Sequence, residues 1–337
     1  MRNLSSTLPD MNFDRDKMKT AAATLAAQGL FIGTSSWKYS GWLRQLYTRD
    51  RYVWRGRFAE SRFERHCLAE YAEVFKSVCV DAAYYKFPSR EYLGGLVDQV
   101  PADFQFGFKI TDQITIKQFP NLPRFGVRTG QVNQDFLNAD LFATAFLRPC
   151  EELRAQVGLL MFEFTQFRVA DFARGREFVA ALDEFLGKLP RGWPYAVEIR
   201  NRTFLQLEYF ATLARHGVAH VFNSWTDMPS VGEQIELPGA FPNSQLSAAR
   251  FLLKPGRKYE DAVKLFSPYE NFQEANPEGR AAAAKLIRRA TTYGHPPPPG
   301  GAAHPATRPR SFIYVNNRFE GSALGSITAM LDEAAQP

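Results

Sequence analysis

Cysteine and histidine are scarce in this chain. Only three cysteines, Cys67, Cys79 and Cys150, occur among 337 residues. They are odd in number and widely spaced, so no CxxC pair, zinc spacing or disulfide framework arises. A reducing compartment fits that usage, and a cytoplasmic location is expected. Of the five histidines, His66, His216, His295 and His304 fall in expected helices or connectors. His220 points away from the face that carries the other polar residues of its strand. No metal-ligand cluster follows from such a set, and neither metal nor cofactor is expected. No stretch approaches the ~18 consecutive apolar residues that read as a membrane span, so no membrane partner is expected. The first strand-to-helix connection lacks GxGxxG, and no GxxxxGK followed by Ser or Thr occurs. Dinucleotide and P-loop nucleotide binding therefore lose their support. A GxSxG elbow is absent, and no inward cysteine has a histidine partner, which removes nucleophilic hydrolysis.

What is present is a long alternation of short apolar runs with helical stretches. The expected strands are 31–36, 77–85, 105–110, 157–164, 195–200, 218–224, 249–253 and 312–316. Most are apolar on both faces, as parallel strands covered by helices are. Helical patterns occupy 63–75, 90–99, 139–156, 173–189, 205–216 and 277–293. Eight such alternations fit an α/β fold, a single (β/α)₈ TIM-type barrel with a long loop after the first strand. The barrel domain is assigned to residues 29–337 and an N-terminal extension to 1–28. Within that extension, Met18–Ala27 has a faint likeness to a secretion signal but lacks a strongly apolar middle. A helical or exposed extension is the expectation. The segment 230–247 is expected to be irregular. The connector 294–310, with four consecutive prolines, excludes a helix and would lie on the N-terminal rim.

In such barrels chemistry gathers at the C-terminal strand ends. Glu198 and Arg200 stand two apart on the fifth strand, so both leave by one face of an otherwise apolar element. Buried charge is costly unless paired or used. Lys109 ends the third strand on the Gly107 face, leaving Phe106 and Phe108 for the helix layer. Glu163 ends the fourth strand and Asp81 follows the second. Asn223 shares parity with Val221 and Trp225 on the sixth strand, Arg250 faces inward on the seventh, and Asn316 and Asn317 close the eighth. Trp37 and Tyr85 stand at the ends of the first and second strands as aromatic walls. The competing account is a structural ion-pair plug for Glu198, Arg200 and Arg250, and a turn for the asparagines.

A cationic, amide-bearing mouth with aromatic walls suits an anionic ligand, and phosphate esters, carboxylates and nucleic acid all qualify. The expected function is binding of a small phosphate- or carboxylate-bearing ligand, with Glu198 as general base if a metal-independent acid/base reaction occurs. Lys109 and Arg200 would hold the anion; Trp37, Tyr85, Asn223, Arg250, Asn316 and Asn317 would complete the site. The alternative is a nucleic-acid binder acting through loop 44–65. There Arg49, Arg51, Arg55 and Arg57 alternate with Tyr47, Tyr52, Trp54 and Phe58, a pattern suited to phosphate neutralisation plus base stacking. The formal charge of +6 permits either partner. Oligomeric state is not legible.

The same residues carry a family resemblance. Ile32-Gly33-Thr34-Ser35-Ser36-Trp37, the strand ending in Tyr84-Tyr85, Phe106-Gly107-Phe108-Lys109, Val197-Glu198-Ile199-Arg200 and Tyr314-Val315-Asn316-Asn317 resemble the YecE-like proteins, domain of unknown function 72. The likeness runs in order from about Phe31 to Ile327. It implies a single TIM-type barrel without an established activity, whose architecture is similar to metal-dependent endonucleases and sugar isomerases. The metal ligands of those enzymes are missing here. The stretch Arg250-Phe251-Leu252-Leu253 departs from the family's usual His-Gly ending, and the Trp37–Arg62 region is longer and more basic than the family pattern.

Overall fold

A computed structural model of the chain describes residues 13–292 and 308–336. The expected Pro-rich connector lies almost wholly outside the described residues. Eight parallel strands close a barrel: β1 Leu30–Thr34, β2 Ser77–Val80, β3 Gln105–Lys109, β4 Val157–Phe164, β5 Tyr195–Ile199, β6 Ala219–Ser224, β7 Leu246–Phe251 and β8 Arg310–Val315. β1 runs beside β8 from Leu30↔Ser311 to Thr34↔Val315, and meets β2 at Thr34↔Val78. Among the described residues, no helix is long and apolar enough to cross a membrane.

Strand parity sorts the side chains as the sequence pattern requires. Cys79, Leu159, Met161, Ala196, Ala219, Val221, Ala248, Phe312 and Tyr314 fill the barrel interior, with Phe31 stacked on Phe312 at 5.0 Å. Phe106, Phe108 and Phe162 point outward into the larger core shared with the helices. His220 also faces outward, its Nδ1 3.1 Å from the Tyr209 hydroxyl. Burial lowers its pKa to about 3, so the ring is neutral. Gly107 has a steric reason: a methyl there would collide with the Tyr314 phenol, whose Cζ would lie at 2.8 Å. That phenol bonds Ser77 Oγ at 2.8 Å across the interior.

Several elements differ from the expectation. β2 stops at Val80, and Ala82–Tyr85 forms a helical turn. The turn delivers Tyr84 to a small apolar cluster with Ile116, Phe119 and Phe125. Helix 139–156 is broken into short pieces around a π-helical stretch, Phe142–Leu147. Pro149 lacks the N–H that a regular helix needs there. Segment 230–247 is not wholly irregular: Val231–Ile235 is helical, begun by a Ser230–Glu233 capping box, and β7 already starts at Leu246. Helices Tyr259–Phe266 and Ala323–Ala334 went unanticipated. Before β1, helix Arg15–Ala27 is capped by Asp14 and buries Met18 and Ala22.

The long loop after β1 is built rather than loose. Tyr47, Tyr52 and Phe63 pack edge to face, each pair of centroids 5.1–6.4 Å apart. Glu70, buried, accepts from the Thr48 N–H at 2.9 Å, the Thr48 hydroxyl at 2.6 Å and the Tyr52 hydroxyl at 2.9 Å. A two-stranded ribbon, Val53–Trp54 with Arg57–Phe58, projects from this base. Arg55 and Gly56 turn it with positive φ at both positions, as a two-residue hairpin demands.

Candidate functional site at the barrel mouth

The inward positions at the C-terminal ends of β3, β4, β5 and β7 converge on one ion network. Glu163 is its hub. Its Oε2 lies 2.9 Å from Lys109 Nζ, 2.8 Å from Arg200 Nη2 and 2.6 Å from Arg250 Nη1. Glu198 stands in register with Glu163 on the neighbouring strand. Its Oε1 accepts from Arg200 Nε at 3.2 Å and its Oε2 from Arg250 Nη1 at 2.8 Å. Asp81 touches the network from its open side, 3.5 Å from Arg250 Nη2.

Burial alone would raise the Glu163 pKa, but Arg200, Lys109 and Arg250 outweigh it and hold the carboxyl well below the usual carboxylate range. Burial likewise acts to lower the Arg250 pKa, and Glu198 and Glu163 reverse the sign, so its guanidinium stays charged. Burial pushes the Cys79 thiol up, away from thiolate chemistry. Aromatic rings carry the outer cations: Lys109 Nζ sits 3.6 Å from the centre of Tyr84, and the Arg200 guanidinium 3.7 Å from that of Trp225. The Lys109 and Arg200 side chains keep 11% and 10% of their exposure, against 3% for Arg250. The two outer cations are largely enclosed, with a small part of each reaching solvent.

Lys109, Glu198, Arg200 and Arg250 are thus brought together, and Asn223 lies beside Arg250 in register. Asn223 Nδ2 donates to the Ile199 carbonyl, while its Oδ1 and Arg250 Nε are buried without protein partners. The expected base role of Glu198 and the remaining expected residues turn out differently. Glu198 is fully buried with both oxygens on guanidinium groups, so no substrate proton can reach it and the general-base assignment loses its geometry. Trp37 is core, with its carbonyl accepting from the Tyr47 hydroxyl. Tyr85 is 58% exposed on the rim. Asn316 Oδ1 accepts from the Arg318 N–H and Asn317 Oδ1 from the Ala323 N–H, contacts that shape the turn after β8. Arg51 is held by Glu73 at 2.6 Å.

Arg49, Arg55 and Arg57 are exposed and have no carboxylate within ion-pair distance among the described residues. Of the rings in that loop Tyr47 and Tyr52 are core, and Trp54 is the large exposed one at 60%. Three contributors were missed or underweighted. Glu163 becomes the centre only because register aligns it with Glu198. Tyr84 and Arg124 meet beside Lys109 because of a turn and a loop that carry no periodic signal. Among the described residues no group of three His, Cys, Asp or Glu side chains is placed to hold a metal ion.

These features define a closed (β/α)₈ barrel whose C-terminal mouth is an ion-paired, ring-flanked cluster. The chain belongs to the DUF72 family, proteins of unknown function, whose family model matches residues 31–337. The YecE-like resemblance read from the sequence is the same family. Two crystal structures of a DUF72 family protein from Enterococcus faecalis V583 are similar to it. One has 17% identity and a TM-score of 0.57, covering 91% of this chain and 96% of that one. The other has 16% identity and a TM-score of 0.58, covering 91% and 98%. A DUF72 family protein from Thermotoga maritima MSB8 has 17% identity and a TM-score of 0.51, covering 90% and 96%. Such identities speak to the fold alone. No curated protein matches the chain.

Proposed function

We propose that the mouth binds a small anionic ligand, with Lys109 and Arg200 as the cations that meet it. One observation carries this reading: in the buried network three cations face two carboxylates, and the two cations nearest solvent are the pair left partly open. Asp81 could complete neutrality, yet it is 34% exposed and reaches only Arg250, at 3.5 Å. It therefore screens the inner guanidinium more than the outer cations. Glu163 and Glu198 act as positioning groups that fix both guanidinium planes, and Trp225 and Tyr84 wall the opening. A general acid/base step is not part of this reading, since Glu163 and Glu198 are enclosed and Asp81 stands toward the inner guanidinium of Arg250.

The test is calorimetric titration of wild type and Arg200→Ala with small phosphate- and carboxylate-bearing anions. Wild type should bind at least one class, and the variant should lose tenfold or more in affinity, the scale of one charge-assisted contact. Equal affinity in both proteins rejects the site. A second reading, nucleic-acid binding along the ribbon, is favoured by Arg49, Arg55 and Arg57 standing without acidic partners around exposed Trp54. The burial of Tyr47 and Tyr52 and the packing of Phe58 on Phe63 leave it one exposed ring of four.

A further inference from the structure

We propose that the group held at the mouth is a tetrahedral oxyanion, a phosphoryl group rather than a carboxylate, and that Arg124 completes its cradle. This narrows the anion reading above and rests on it.

The donor inventory separates the two classes. A guanidinium grips a planar carboxylate best through two parallel N–H donors along one edge. Inside the mouth the edges are engaged or buried. Arg200 gives Nε to Glu198 and Nη2 to Glu163, which leaves Nη1 as its nitrogen without a protein partner among the described residues. Arg250 gives Nη1 to both glutamates, its Nη2 lies 3.5 Å from Asp81, and its Nε, without a protein partner, is buried away from solvent. Lys109 is a point charge that shares one Glu163 oxygen with two guanidinium groups. What remains is a set of single donors arriving from β3 and β5, hence from different directions. A planar carboxylate offers such donors two oxygens in one plane. The oxygens of a phosphoryl group diverge in space and meet more of them at once.

Arg124 adds the outer donor. It lies in the 3₁₀ segment Pro123–Arg128 on the connection after β3 and is exposed. No carboxylate stands within ion-pair distance of it among the described residues. Its guanidinium is 5.9 Å from the centre of Tyr84 and 5.6 Å from that of Tyr85. Tyr84 is the ring that also carries the Lys109 ammonium, at 3.6 Å. Neighbouring Phe125 is buried with Tyr84, Ile116 and Phe119, so the position of Arg124 is tied to the ring and not left to a free loop. Two cations gathered about one ring repel each other, and a dianion set between them and Arg200 removes that repulsion.

The corner where barrels of this class commonly take phosphate, between the loops after strands seven and eight and a helix N-terminus, is closed here by the chain itself. Glu320 Oε1 accepts from the Asn276 N–H at 2.5 Å and from Arg280 Nε at 2.7 Å, at the head of helix Pro277–Thr292. The cationic opening beside β3 and β5 is left for the ligand.

The experiment is calorimetry at constant ionic strength with inorganic phosphate, sulfate, glucose 6-phosphate, acetate and malonate, on wild type, Arg124→Ala and Arg124→Lys. The tetrahedral anions should bind wild type at least tenfold tighter than acetate or malonate. Arg124→Ala should weaken phosphate about tenfold, and Arg124→Lys should recover part of that. Melting temperatures should not move, because Arg124 is exposed. Malonate binding as tightly as phosphate, or an Arg124→Ala titration identical to wild type, overturns the phosphoryl assignment and leaves the anion reading standing. If none of the five anions binds, both fall. Glucose 6-phosphate binding tighter than free phosphate marks an ester as the ligand; the reverse order marks the free ion.

Discussion

Replacing Glu163 by glutamine perturbs every element of the mouth at once. The carboxylate is 1% exposed and one of its oxygens faces three cations. Glutamine keeps the shape and one acceptor, so what disappears is the charge. Removing one member of a buried ion pair costs about 3–5 kcal/mol, because the partner stays buried and uncompensated. Unfolding entropy near ~2.1 cal/mol/K per residue gives about 0.7 kcal/mol/K for a chain of this length, and the melting temperature should fall by about 4–7 °C.

The pH dependence has a defined sign. The folded carboxyl is held below its ordinary value of 4.5, so it stabilises the fold above that value. The contribution is lost as the pH falls from the unfolded pKa toward the folded one. Melts followed by circular dichroism between pH 7 and pH 3 should show wild type and variant converging on acidification. A Glu163→Gln protein as stable as wild type at pH 7, or a gap that stays constant down to pH 3, refutes the hub. A double variant with Lys109→Met should be less destabilised than the two single losses combined, since it also removes a cation left without its partner.

Two further outcomes follow from other parts of the molecule. Gly107→Ala should destabilise by about 1–3 kcal/mol in urea titrations, the usual scale of overpacking, because the new methyl meets the Tyr314 phenol. Adding Tyr314→Leu should remove most of that clash, and strictly additive losses would show that the collision is not the cause. On the ribbon, the triple variant Arg49→Ala, Arg55→Ala, Arg57→Ala should lower the salt slope of single-stranded oligonucleotide binding by about 2, at roughly 0.7 per phosphate contact. Trp54→Ala should remove about 1–3 kcal/mol of stacking. Binding insensitive to salt rejects that surface.

How far the site could be read beforehand depended on whether periodicity governed the residue. Glu198, Arg200, Lys109 and Arg250 sit on strands, where a period of two fixes the face once the core pattern is known. Their convergence then follows from barrel closure. The same rule sent Phe106, Phe108 and His220 outward. Glu163 was visible as an inward carboxylate, but its place at the centre is a matter of inter-strand register, which one strand's sequence does not contain. Segments without a period resisted reading. In loop 44–65 arginines and rings alternate, yet alternation on irregular backbone does not assign faces, and tertiary packing buried Tyr47 and Tyr52 while exposing Trp54.

Asn316 and Asn317 illustrate a different ambiguity, because the amide oxygen that would meet a ligand is the one that caps a turn. Here the turn after β8 takes it in both cases. Tyr84 and Arg124 were least accessible of all. The first moved off the expected strand into a helical turn, and the second stands on a connection whose path is set by burying Phe125. A ligand site assembled partly from strand ends and partly from such connections has an inner half that parity can locate. Its outer half, to which the proposed ligand class is assigned, is fixed only by the packing of the loops that carry it.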